Sequence, residues 1–413
     1  MPSSNRFTLS LLTFLAFSSV CHADWPDFRG PSRDGIVTVD LPTKWSPDSN
    51  VLWKSDIPGE GWSSPIVVGD RIYLTAAVPQ ADEGFELQLI CLNADSGKTV
   101  FQKQLFNELS DAPRIHRKNS HASPTPIFDG TNIFVHFGHQ GTACVSPDGD
   151  VVWKNDSLAY PPVHGNGGTP VIVDNLLIFS RDGADIAEVT ALNKQTGEIA
   201  WQSQRDVEVQ KSFSFCTPLV IEVEGKTQLI LPGSNVVQSL DPATGEEFWR
   251  LSYDGYSVIP RPIYHEGLVF VCTGYNRPSI LAIDPTGSGD VTKTHLRWQS
   301  KDRIPHTPSL IAYKTNIAMI SDQGVATMVD AKTGEQVWRT RVDGGFSASP
   351  LLSGSMLYFL SEGGDCTVLD ISGSQPKEVT VNSMDERCLA SMAVYGKDLL
   401  LRSAQSLYRI GNR

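Results

Sequence analysis

Histidine, arginine and aromatic side chains recur at one kind of place in this sequence. They stand just before a Ser/Thr-Pro pair, or a variant of it, that opens an apolar run. The segments supply Trp62, His121, His164, Asn166, Phe213, Phe215, Tyr256, Arg261, His306, Phe346 and Arg387. Imidazoles bind metals or move protons, a guanidinium grips anions, and rings stack. A transition-metal site would need imidazole nitrogens within ~2.1 Å of one point. A small-molecule pocket would need a few polar groups converging in a cleft. The bland alternative is a set of solvated polar residues around a water-filled tunnel. Residue types leave these readings open.

Other chemistries have no motif. The chain has no GxSxG elbow, HExxH, P-loop or dinucleotide fingerprint. His164 to Pro170, HGNGGTP, is glycine-rich but precedes a strand, so it cannot offer a phosphate the N-terminus of a helix. The turn DPTGSGD from Asp284 to Asp290 has carboxylates for calcium but lacks EF-hand spacing, and reads as a solvated loop.

The elements that must position these residues are repeats. Eight hairpins follow the Ser/Thr-Pro positions, among them SSPIVVGDRIYL, GTPVIVDNLLIF and ASPLLSGSMLYFL; the fifth carries Arg261-Pro262 and the eighth Ser391-Met392. Between them recurs a turn signature: Asn or Asp, then Thr/Ser-Gly, then an aromatic four residues after the Gly. It reads NADSGKTVF to Phe101, NKQTGEIAW to Trp201, DPATGEEFW to Trp249 and DAKTGEQVW to Trp338, with a shortened form ending at Trp153 and an insertion before Trp298. Asn and Asp close the turn with their side chains, and Gly accepts the positive φ it demands. The fixed offset then fixes the face on which the aromatic lies. A hairpin plus its signature gives four strands in about 40 to 50 residues, the length of a propeller blade.

The ends of the repeat predict a closed ring. The last unit stops after SLYRI (Ser406 to Ile410), one strand short, and the first is preceded by an orphan strand around Trp53. Joining the two covers the open edges. The sequence therefore predicts an all-β, eight-bladed β-propeller over residues 50–413, with very little helix. Trp53, Phe101, Trp153, Trp201, Trp249, Trp298 and Trp338 are expected to pack between neighbouring blades. Residues 24–49 hold Trp25, Phe28 and Trp45 and are expected to lie along the ring as an N-terminal arm.

Residues 1–23 read as a secretory signal, with Arg6, an apolar run from Phe7 to Val20, and a small-x-small site ending at Ala23. The remaining six cysteines have wide spacings and no CxxC, which suits small buried hydrophobes better than zinc or a disulfide framework. Apolar residues at 40% exclude a wholly disordered chain, and a net charge of −12 argues against nucleic acid. The content of 34 Gly and 26 Pro supplies the turns that the repeats require.

The turn signature resembles the repeat of the pyrroloquinoline quinone (PQQ) propeller family, A-x-D-x-x-T-G-x-x-x-W, with Trp201, Trp249 and Trp338 at its docking position. The resemblance spans the ring and implies eight W-shaped blades. The quinoprotein dehydrogenase branch carries two adjacent cysteines and a calcium-ligand set. Here no two cysteines are neighbours and that set finds no match. The chain is closer to the non-enzymatic, BamB-like branch, and WPDFRGPSRDG (Trp25 to Gly35) resembles the start of exported planctomycete-type propellers.

These observations give the expected function: an exported, non-enzymatic scaffold that binds a protein or small ligand of the cell envelope. It is expected to be periplasmic or extracellular, monomeric, free of PQQ and calcium, and without a membrane span in the mature chain. Its candidate binding residues at the channel mouth are Trp62, His121, His164, Asn166, Tyr256, Arg261, His306 and Arg387. The alternative is an enzyme with a site there, either a degenerate PQQ-dependent dehydrogenase or a hydrolase. Convergence of His121, His164, His306 and Arg261 on one pocket would favour it. The connections Leu105 to Asn119 and Val78 to Phe85 are the longest and the most suited to recognition.

Overall fold

A computed structural model describes residues 24–81, 84–109, 113–209, 211–275 and 277–412. The expected leader, residues 1–23, lies outside the described residues. Each apolar run forms one strand, and each signature turns the chain into the next. In the first blade the strands are Ile66–Val68, Arg71–Pro79, Phe85–Asn93 and Thr99–Glu108. The two middle strands are buried on both faces, while the outermost alternates between exposed and half-buried residues over its first half. That pattern arises when sheets stack face to face around an axis. The same antiparallel meander repeats over residues 127–155, 171–204, 219–252, 263–300, 311–341 and 351–383. The eighth blade joins Ala393–Tyr395, Asp398–Arg402 and Ser406–Ile410 to Val51–Asp56, so the orphan strand closes the ring. The result is an eight-bladed β-propeller.

The signature turns out to be half of an inter-blade joint. The aromatic of one blade lies on the signature glycine of the next. Trp53 lies on Gly97, Phe101 on Gly149, Trp153 on Gly197, Trp201 on Gly245 and Trp298 on Gly334. Four of the indoles also donate Nε1–H to a carbonyl of the next blade: Trp53 to Ala94, Trp153 to Lys194 and Trp298 to Ala331 at 2.9 Å, and Trp201 to Pro242 at 3.1 Å. Trp249 and Trp338 are buried but docked differently. The insertion in the fifth blade forms a short strand, Gly289–Asp290, that pairs parallel with Glu247–Ser252, and Trp249 bonds Gln228 of its own blade instead. Trp338 packs with Leu369 and Ile371.

A second set of joints lies nearer the axis. The residue that opens each first strand accepts, on its hydroxyl, the backbone N–H of the preceding blade. Ser64 donates to Thr125, Thr125 to Thr169 and Thr169 to Thr217, each at 3.0 Å. Beyond the fifth blade Arg261 donates to Ser309 and Ser309 to Ser349 at 3.1 Å, and Ser349 to Ser391 at 2.9 Å. In the sixth blade Ser309-Leu310 takes this place, two residues after the literal Thr307-Pro308. Two steps differ. Arg261 has no hydroxyl for the fourth blade, where Cys216 Sγ reaches Pro260 O at 3.2 Å. Between the eighth and first blades Arg402 spans the gap, donating to Ser63 O (2.9 Å) and Thr75 O (2.7 Å). Burial pushes the Arg402 guanidinium down to about 9.

The N-terminal arm does more than follow the surface. Trp25 exchanges two backbone bonds of 2.9 Å with Val67 of the first blade, and Pro26 O accepts Phe128 N of the second at 2.8 Å. Three residues later Arg29 reaches Leu310 O of the sixth blade (2.7 Å), while Arg261 of the fifth reaches Phe28 O (3.2 Å). Ile36–Val37 then pairs parallel with the first strand of the seventh. A chain that touches the second and then the fifth and sixth blades of an eight-membered ring crosses its axis. The arm therefore floors the channel.

The docking glycines give a direct test. At Gly197 (φ +75°) an added Cβ would lie 2.5 Å from Trp153 Cε3, whereas at Gly69 (φ +58°) it would meet nothing within 4 Å. Gly69→Ala is expected to lose about 1–2 kcal/mol of stability from backbone strain alone. Gly197→Ala is expected to lose a further ~1–3 kcal/mol from displacing the indole. Urea unfolding of the two variants measures the difference; equal losses would contradict the joint.

Candidate functional site

Above the arm the channel widens into a chamber of about 660 Å³. Its floor is Phe28 and the belt residues Ser64, Thr125, Thr169, Thr217, Ser309, Ser349 and Ser391. One side of its wall is a continuous arc of rings. His116 meets His164 (5.7 Å between centroids), His164 meets Phe213 (5.3 Å), and Phe213 meets Tyr256 (5.6 Å). Tyr256 then meets Tyr275 (5.5 Å), and Tyr275 meets His306 (5.9 Å). The other side is polar. Asp322 Oδ1 accepts the backbone N–H of His306 (2.8 Å) and of Thr307 (3.2 Å), and Oδ2 accepts Thr307 Oγ1 (2.9 Å).

The connection between the first and second blades overhangs this chamber. On one side Ile115 bridges His164, and Asn119 Nδ2 donates to His164 O at 2.9 Å. On the far side Lys118 pairs with Glu362 at 2.7 Å, and Arg387 Nη2 donates to Arg117 O at 2.7 Å. Burial raises the Glu362 carboxyl, but bonds from Lys118 and Ser347 outweigh it and hold it below its ordinary value. Residues 115–119 thus strap the mouth from the third blade's entry to the seventh.

The structure brings some of the sequence-derived candidates together and separates others. Trp62, His164, Tyr256 and His306 line the chamber. Arg387 lies at the rim, its guanidinium 5.2 Å above the Trp62 ring. His121, Asn166 and Arg261 lie outside it. His121 turns to Glu108, whose Oε2 is 3.3 Å from both His121 Nδ1 and His139 Nε2. Burial raises the Glu108 carboxyl, yet the hydrogen bonds from the two imidazoles win and bring it to about 2. Asn166 is buried in the same network, donating to Phe137 O at 3.1 Å and meeting His139 Nδ1 at 2.9 Å. Arg261 is directed down into the arm, away from the chamber. His121, His164, His306 and Arg261 therefore do not share one pocket. Among the described residues no group of three or more His, Cys, Asp or Glu is placed to hold a metal ion.

Reading only the segments before first strands missed several chamber residues. Tyr275, Asp322 and Gln323 come from turns between second and third strands, and His116, Lys118 and Asn119 come from the strap. The unusual length of that connection was the available signal. The six described cysteines are free and buried, and burial raises their thiols.

Beside the Glu108 network, His136 lies buried against Phe179 (4.4 Å), its Nδ1 2.8 Å from Thr142 Oγ1. Burial first, then His139 and Arg181, push it down to about 3 from 6.5. The unfolded chain therefore binds a proton that the folded chain refuses. Stability is full above about pH 6.5 and falls as the pH drops toward 3, by up to about 1.4 kcal/mol per pH unit. Glu108 adds its own loss only lower, between its ordinary value of 4.5 and about 2. His136→Phe is expected to flatten the slope between about pH 6.5 and 4.5, measured by urea unfolding across that range. An unchanged slope would assign it to other groups.

A family model described as outer membrane protein assembly factor BamB matches residues 38–184, 117–312 and 295–405. The assembly factor BamB of Legionella pneumophila (strain Paris) is 26% identical over 209 residues, 49% of this chain and 50% of its own. That of Burkholderia pseudomallei (strain K96243) is 24% identical over 209 residues, 49% of this chain and 46% of its own. The chain thus spans about half the length of the curated relatives it matches. Among solved structures, BamB from Moraxella catarrhalis superposes with a TM-score of 0.62 at 13% identity, covering 88% of this chain and 97% of the other. A europium-containing methanol dehydrogenase superposes with a TM-score of 0.67 at 9% identity, covering 94% and 98%. At these identities the solved structures speak for the fold, which an assembly factor and a dehydrogenase share. The family model, by contrast, runs through every blade, and the chain belongs to the BamB family of PQQ-like β-propellers.

Proposed function

We propose that this chain is a non-enzymatic scaffold of the bacterial cell envelope, holding protein partners on a rigid ring. The observation that carries the reading is the family match over residues 38–405, together with a chamber on which His121, His164, His306 and Arg261 do not converge. Its curated relatives bear the name outer membrane protein assembly factor, which makes an outer-membrane assembly component the partner class to test. The signal-like residues 1–23 support export. No helix among the described residues is long and apolar enough to cross a membrane, so on this reading the ring acts beside the membrane. It works as a monomer without PQQ or calcium.

The test is fractionation and cross-linking of a C-terminally tagged chain in a native host. Recovery in the envelope, cross-linked to an outer-membrane assembly protein, is expected. Recovery in the cytosol, or alcohol oxidation by protein reconstituted with PQQ and calcium, would overturn the reading.

A further inference from the structure

The chamber keeps unused hydrogen-bonding capacity along its belt. A hydroxyl carries one proton and two lone pairs. Six belt hydroxyls already accept a backbone N–H from the preceding blade. Among the described residues none of the six donates its own proton to protein, and all six face the chamber. Trp62 Nε1, also on the lining, is buried without a partner. Of the nearby carboxylates, Asp322 accepts from His306 and Thr307, and Glu362 Oε1 accepts from Lys118 and Ser347. Each belt hydroxyl thus keeps one proton and one lone pair, a mixed set that matches the hydroxyl groups of an oxygen-rich occupant.

The wall adds two further constraints. The arc from Phe213 through Tyr256 to Tyr275 offers a ring platform suited to the C–H faces of a cyclic ligand. Over the Tyr256 ring lies Lys211, whose Nζ is 3.2 Å from Tyr256 Oη and 4.7 Å from that ring's centroid, with no carboxylate partner among the described residues. In a chain of net charge −12, such a cation at the chamber is a local attraction for a negative group. The chamber volume, about 660 Å³, falls in the range of small-molecule sites.

We propose that the chamber binds a short acidic saccharide. Its rings rest on the Phe213–Tyr256–Tyr275 platform, its acid group meets Lys211, and its oxygens take the belt protons. This site is separate from the partner-binding role above and does not require it.

Isothermal titration with glucuronate, glucose and benzoate at one ionic strength tests the assignment. Glucuronate is expected to bind at least tenfold more tightly than glucose. Lys211→Gln, at an exposed position, is expected to abolish that preference while leaving glucose unchanged. Tyr256→Ala is expected to weaken both sugars at least tenfold, with thermal melting showing that each variant is folded. No sugar binding, equal affinity for glucose and glucuronate, or binding of benzoate alone would overturn the proposal. Envelope cross-linking of Lys211→Gln keeps the two readings apart, because partner capture is expected to survive the loss of sugar preference.

Discussion

Six of the eight blades of this ring hand a backbone N–H to a hydroxyl at the entry of the next. That single constraint explains why Ser or Thr recurs where an inner strand begins. The backbone amide there points along the ring and away from its own sheet. Left unpaired near a buried axis it would cost free energy comparable to a lost hydrogen bond. A neighbouring hydroxyl satisfies it, and in doing so fixes the distance and rotation between blades. A proline immediately afterwards costs little, because the innermost strand is an edge with no further ladder to feed. The outer joint, an aromatic seated on the next blade's glycine, acts at larger radius and resists tilting.

Where the belt changes, the ring does something different. Arg261 replaces the hydroxyl of the fifth blade and sends its guanidinium under the chamber to hold the arm. Arg402 bridges the last and first blades, at the seam that the strand Val51–Asp56 also closes. The buried arginines of this region, Arg29, Arg261 and Arg402, are all pushed below their ordinary values, by burial first of all. They tie the arm and the seam to the repeating ring, so the floor of the chamber is part of the fold.

Fold and joints were legible because both depend on fixed offsets. The aromatic four residues after a signature glycine meets the next blade's glycine at Phe101, Trp153 and Trp201, while Trp338 keeps the offset without such a contact and Trp298 meets Gly334 across its insertion. The fifth blade breaks the offset with Gly289–Asp290, and Trp249 there finds a partner in its own blade. The chamber was legible only in part. Trp62, His164, Tyr256 and His306 were found because they precede first strands. His121 and Asn166 precede first strands too, but local turns bend them into the Glu108–His139 network. The strap across the mouth could be marked as long, yet which blade it reaches depends on pairs such as Lys118 with Glu362, some 244 residues apart, which no local pattern encodes.

The central claim is that the belt makes eight sheets into one cooperative ring. Native-state hydrogen exchange at the amides of Ser64, Thr125, Thr169, Arg261, Ser309 and Ser349 tests it most directly. The account predicts that all six exchange with one common free energy, equal to that of global unfolding. Distinct free energies, with amides of single blades opening well below the global value, would contradict it.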